Sequence, residues 1–102
     1  MQIGDFGYVP EIYSLEQNYP NPFNPITTIG FGLPEDSQVQ ILVYDISGRL
    51  VRTLVNDAMT AGYRRIVWDG RNDYKELVSA GVYIVLMKAD GFLEHRKMVL
   101  LK

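Results

Sequence analysis

From Thr27 onward the chain alternates apolar and polar residues. Ile29, Phe31 and Leu33 fall on one face while Thr28, Gly30 and Gly32 fall on the other, and Val39, Ile41 and Val43 separate in the same way from Gln38, Gln40 and Leu42. Arg64, Ile66 and Trp68 likewise oppose Arg65 and Val67. The period is two, which is that of an extended strand whose successive side chains point to opposite sides. Turn-forming residues punctuate these runs. They occur at Pro34 to Ser37, at Asp45 to Arg49 with Gly48 as the expected positive-φ position, and in the polar connection Asn56 to Gly62. Leu50 to Val55 reads as a strand of mixed pattern. Val82 to Lys88 differs from all of these because it is apolar at odd and even positions alike, and this predicts a central strand covered on both faces. Asp90-Gly91 then predicts a two-residue turn, after which Phe92 to Leu101 returns as the last strand of a closing hairpin.

Ahead of Thr27 the pattern is weaker. Met1 to Tyr8 has two glycines and no period, so residues 1–13 read as a linker or lead-in and residues 14–102 as the domain. Val9 to Leu15 could supply a short edge strand, where Pro10 is tolerated because an edge needs no donor. Gln17 to Pro25 carries three prolines in six positions, which excludes helix and leaves few backbone donors for a sheet. A stiff loop is expected, with Tyr19 and Phe23 tucked against the body. Six or seven short strands separated by turns, with no amphipathic helix, predict an all-β fold. The arrangement expected is an immunoglobulin-like antiparallel β-sandwich of about seven strands, with a small barrel as the alternative.

Composition narrows the function without naming it. The chain has 102 residues, enough for one core. Its net charge of −2 gives no basic field for a phosphate backbone, so nucleic acid is not an expected partner. It has no cysteine, hence no disulfide and no thiolate metal site. No apolar run reaches the length of a transmembrane segment, and Met1 to Tyr8 does not read as a signal peptide.

Candidate chemistry is sparse. A nucleophile triad needs a base, and the one histidine, His95, falls in the closing hairpin, where an exposed strand residue is the plainer reading. No phosphate-binding, dinucleotide-binding or zinc-protease motif occurs. No catalytic activity, cofactor or metal site is therefore assigned. The acidic loop Asp69, Asn72, Asp73, Glu76 offers hard oxygen ligands of the kind calcium takes, although those residue types also serve plain turns. Tyr13, Tyr44, Tyr63, Tyr74 and Tyr83 could stack on sugar rings, or lie in core and rim. In the last strand Arg96, Lys97 and Lys102 bracket the apolar run Met98 to Leu101. Such charges protect an edge from aggregation, or else mark a strand that a partner captures by pairing with its edge or by reading the chain end.

One set of motifs carries a resemblance. Leu15-Glu16-Gln17-Asn18-Tyr19-Pro20-Asn21-Pro22-Phe23-Asn24-Pro25 is followed by Val43-Tyr44-Asp45-x-x-Gly48-Arg49, Trp68-Asp69-Gly70, Ser79-x-Gly81-Val82-Tyr83 and Lys97-Met98-x-Leu100-x-Lys102. In this order the motifs closely resemble the type A C-terminal sorting domains of the type IX secretion system, found on cargo proteins of Bacteroidetes and related bacteria. The Trp-Asp-Gly and Ser-x-Gly-Val-Tyr parts are also similar to the immunoglobulin-like domain of flagellar hook-capping proteins. The resemblance implies a seven-stranded sandwich that directs an attached N-terminal cargo domain through an outer-membrane translocon. It further implies passage via the periplasm, removal by a sortase-like surface protease, and a cargo secreted or held at the cell surface. The implied recognition residues are Gly81, Val82, Tyr83, Lys97, Met98, Val99, Leu100, Leu101 and Lys102. One departure stands out, since many relatives have glycine in the loop where this chain has Lys75 or its neighbours. Two other classes remain open on these residues: a structural or assembly module, and a carbohydrate-binding module.

Overall fold

The computed structural model describes residues 9–101. The lead-in expected over Met1 to Tyr8 and the expected recognition residue Lys102 lie outside the described residues. Seven strands follow one another: β1 (Ser14–Leu15), β2 (Thr27–Leu33), β3 (Ser37–Asp45), β4 (Leu50–Met59), β5 (Gly62–Trp68), β6 (Gly81–Ala89) and β7 (Phe92–Leu100). They form two sheets, ordered β1-β2-β5 and β4-β3-β6-β7, with every strand pair antiparallel. Two separate sheets make a sandwich rather than a barrel, in agreement with the immunoglobulin-like expectation. Among the described residues no helix is long and apolar enough to cross a membrane.

The core lies where the inward rows of the two sheets meet. Ile29, Phe31 and Leu33 from β2 face Val39, Ile41 and Val43 from β3 and Val85 and Met87 from β6, all of them buried. Trp68 fills one end, as its size predicted. Its ring packs between Phe23 and Tyr83, with centroids 5.6 and 5.4 Å away, and its indole N–H donates to the carbonyl of Arg71 at 2.9 Å. A fully buried indole is tolerated because this one polar atom is satisfied.

Four expectations need correction. The early edge strand shrinks to Ser14–Leu15, because upstream of it Pro10 packs against Gly32 and makes no ladder. The polar connection Asn56 to Gly62 is mostly strand: β4 runs on to Met59, since Ser37 and Gln38 of β3 pair with Met59 and Ala58. Pairing with a neighbour overrides a polar composition there. Tyr19 is 80 % exposed, whereas Phe23 is 1 % exposed as expected. Tyr19 exchanges both backbone hydrogen bonds with Thr28, and residues directly opposite in an antiparallel pair share a face, so its ring follows Thr28 outward. Finally, β6 is central, between β3 and β7, but among the described residues no second layer covers its outer face. Val82, Ile84 and Leu86 on that face are only half-buried, whereas Tyr83, Val85 and Met87 on the other are buried.

Phe23 and Tyr19 thus occupy one loop with opposite environments. Phe23→Ala should destabilise the domain by about 3–5 kcal/mol, and Tyr19→Ala should leave it within about 0.5 kcal/mol. Equilibrium urea unfolding of the two variants checks this difference.

Candidate partner-recognition site

The closing hairpin is fixed by its turn. Asp90 and Gly91 both take positive φ, 49° and 88°, which suits a two-residue connection between twisted strands. The register then follows residue by residue, from Ala89 opposite Phe92 to Gly81 opposite Leu100. It divides the expected recognition residues into two groups. Tyr83, Met98 and Leu100 point inward and are buried; Val82, Lys97 and Val99 point outward. Leu101 follows the strand and is 50 % exposed. Gly81 opens β6 at φ 148°, a conformation that strains any residue with a Cβ, although a Cβ there would meet nothing within 4 Å. Its role is therefore backbone shape.

The inward group is structural. The Tyr83 ring stands edge-on to Trp68, and its hydroxyl donates to the carbonyl of Ser79 at 2.7 Å, tying the end of the β5–β6 loop to the core. Burial, followed by the charge of Asp45, pushes the Tyr83 phenol above its usual range. Asp45 shifts the other way. The Ser47 hydroxyl and the Arg49 backbone N–H bond its carboxylate and hold it below the usual value, closing the β3–β4 turn around Gly48 at φ 87°.

As an edge strand β7 should offer its outer rim to a partner, and over its final residues it does not. The Val99 N–H donates to Oδ1 of Asn21 at 2.9 Å, and the Val99 carbonyl accepts from the Phe23 N–H at 2.9 Å. The Leu101 N–H donates to the Phe23 carbonyl at 2.8 Å, so Phe23 forms a parallel bridge beside Leu100. Further back, Gln17 Nε2 donates to the Lys97 carbonyl and Arg96 Nε donates to the Leu15 carbonyl. The proline-rich loop lies along the closing strand as a latch, and Phe23 anchors it in the core. Capture of Lys97 to Leu101 by strand pairing is thereby blocked in the folded domain. Sequence reading missed Gln17 and Asn21 as latch residues. A signal was present, since an Asn held between prolines has a free side-chain acceptor and little freedom to place it elsewhere.

The remaining candidates separate. His95 is exposed on the outer face of β7, opposite Leu86. In the acidic loop Asp69 and Asp73 face a guanidinium: Arg52 lies 3.3 Å from an Asp69 oxygen and 3.7 Å from an Asp73 oxygen. Asp73 also accepts the Thr53 N–H, and Asn72 Oδ1 accepts from the N–H groups of Tyr74 and Glu76. The Asp69 and Asp73 oxygens thus latch the β5–β6 loop to β4 while the Asn72 oxygen braces the loop internally, and among the described residues no cluster is arranged to hold a metal. The five tyrosines share no face. Tyr83 is buried, Tyr13 stacks on Phe92, Tyr44 is half-buried, Tyr63 lies on the other sheet and Tyr74 sits in the loop.

The profile of the FlgD Ig-like domain matches residues 23–91, more than half of the chain. The chain belongs to the FlgD Ig-like domain family. Among solved structures, FlgD from P. aeruginosa is 24% identical with a TM-score of 0.54, covering 74% of this chain and 59% of that one. Dimeric latent PorU from Porphyromonas gingivalis is 23% identical with a TM-score of 0.68, covering 93% of this chain and 10% of PorU. PorZ from the same organism, an essential bacterial surface component of its type-IX secretion system, is 20% identical with a TM-score of 0.60, covering 88% of this chain and 11% of PorZ. The chain therefore spans about a tenth of the length of PorZ and PorU, and at these identities the likeness is one of fold. No curated protein matches the chain. In this FlgD-type sandwich the loop departure also acquires a shape. Lys75 takes φ 68°, the left-handed conformation that glycine adopts without strain.

Lys75→Gly should accordingly stabilise the domain by about 1 kcal/mol, because it removes the steric cost of a side chain in that region. A rise in the urea midpoint with unchanged slope is the expected result, and a fall would show that the Lys75 side chain itself holds the loop.

Proposed function

We propose that this domain is a C-terminal sorting domain, which directs an attached cargo through the type IX outer-membrane translocon for surface attachment or release. One observation carries the reading. The two segments with the strongest sorting-domain resemblance, the Asn-Pro loop and the closing strand, are about 80 residues apart in sequence and are bonded to each other through Asn21, Phe23, Val99 and Leu101. A motif pair joined in this way serves to present the chain's last strand in one fixed form. The folds of PorU and PorZ support the same reading, because their likeness extends over 93% and 88% of this chain. The partners are then the translocon, a sortase-like surface protease and an N-terminal cargo domain, and the product is secreted or cell-surface via the periplasm.

Membership in the FlgD family favours a second reading, an assembly module that joins subunits. Such a module should self-associate at micromolar concentration in sedimentation velocity, whereas a sorting domain should sediment as a monomer.

The direct test fuses the 102-residue chain to a periplasmic reporter in a bacterium with a type IX system. Surface delivery in the wild-type host, and periplasmic retention both in a translocon-null host and on deletion of Lys97 to Lys102, is the expected pattern. Equal delivery with and without the translocon would contradict the function.

A further inference from the structure

The two outer faces of the sandwich differ in chemistry. On the three-stranded sheet Glu16 and Arg65 both lie beside Gly30, an aromatic ring projects at Tyr63, and charges of both signs occur. The outer face of the four-stranded sheet is built otherwise. Its centre is an aliphatic strip formed by Leu42, Leu86, Ile84, Val82 and Val99 with Tyr44 beside them, in cross-strand rows set by the register. Lys88 and Lys97 flank this strip. No outward-facing position of β3, β4, β6 or β7 carries a carboxylate. The acidic residues within these strands, Asp45, Asp57 and Glu94, stand in the inward-facing rows opposite Tyr83, Val39 and Met87. In a chain whose net charge is −2, this face is cationic. Among the described residues neither Lys88 nor Lys97 has a carboxylate within 4.0 Å.

We infer that this face is the docking surface for a partner protein that presents an apolar ridge bordered by carboxylates. The inference rests on the sorting-domain reading and deepens it, by naming where the receptor binds. The latch leads to the same face: with the rim of Lys97 to Leu101 closed by the loop, the side chains this segment still offers are Lys97 and Val99, both on this side, together with Leu101. A second copy of the chain is disfavoured because two such faces would bring lysines against lysines. An anionic bilayer is disfavoured by shape. The strip is flat and half-buried, with Leu42 only 9 % exposed, so it has little to insert among acyl chains. Four strands of nine or so residues give a face of roughly 20 by 30 Å, small enough for a contact that must release its cargo again.

The test uses the same reporter fusion with Lys88→Glu/Lys97→Glu, the charge-preserving pair Lys88→Arg/Lys97→Arg, and Arg65→Glu on the opposite face. The double reversal should lower surface delivery about tenfold or more, with the melting temperature of the purified chain unchanged, while the arginine pair and Arg65→Glu deliver like wild type. Wild-type delivery by the double reversal would overturn the docking face and leave the sorting function intact. Failure of the unmodified fusion to depend on the translocon would overturn both. Loss of delivery by the arginine pair would also contradict the inference, because charge is preserved there. Two further outcomes transfer the face to another occupant and sink the proposal: sedimentation with phosphatidylglycerol vesicles that the double reversal abolishes, or dimerisation of the chain that it abolishes.

Discussion

The structure depends on the bonds between the proline-rich loop and the last strand. An edge strand carries a row of unpaired donors and acceptors, and left open it templates pairing with other chains. Here Phe23 enters the core beside Trp68 and brings its own backbone against Val99 and Leu101, while the Asn21 side chain takes the remaining Val99 donor. Burial of one aromatic ring thus positions the groups that close the rim. The other rim of the same sheet is treated similarly over Val51 to Thr53, where the Asp73 backbone N–H donates to the Val51 carbonyl and its carboxylate accepts the Thr53 N–H. Bulges in β4 at Val51 and Leu54 further interrupt its edge.

Closing the rims leaves the faces. The buried inward side chains of β6 and β7 are used in packing, so substitution of Tyr83, Met98 or Leu100 acts through stability before it acts through recognition. Outward side chains of the same strands are free of that duty. The closing-strand motif therefore mixes two kinds of residue at alternate positions: one set holds the strand in place, and the other is what a partner can touch. A truncation removes both sets at once, which is why single outward substitutions are more informative than deletions.

Much of this was legible in the sequence. Period-two alternation in β2, β3 and β5 gave the strands and their inward rows, and the Asp90-Gly91 turn gave the closing hairpin. Trp68 was legible as core from its size and its place in an apolar row. Other features depended on partners that no local pattern displays. The polar end of β4 is strand because β3 pairs with it, and the ring of Tyr19 is exposed because Thr28 sets its face. Continuous apolar character in β6 predicted two covered faces, but periodicity cannot report whether a second layer is present. The acidic loop read as possible calcium ligands because Arg52, from a different strand, is invisible at that distance in sequence. For the expected recognition residues the motif supplied the segment, and only the register divided it into inward and outward members.

The most direct measurement is residue-resolved amide hydrogen exchange along β7 of the intact chain. In an antiparallel ladder the odd-numbered amides of this strand face away from β6, so their protection depends on what lies along the outer rim. The latch predicts strong protection at Val99 and Leu101, whose N–H groups meet Asn21 and Phe23, and rapid exchange at Leu93 and His95 on the open part of the same rim. Rapid exchange at Val99 and Leu101, matching that of Leu93, would show that the closing strand has an open edge and would contradict the account.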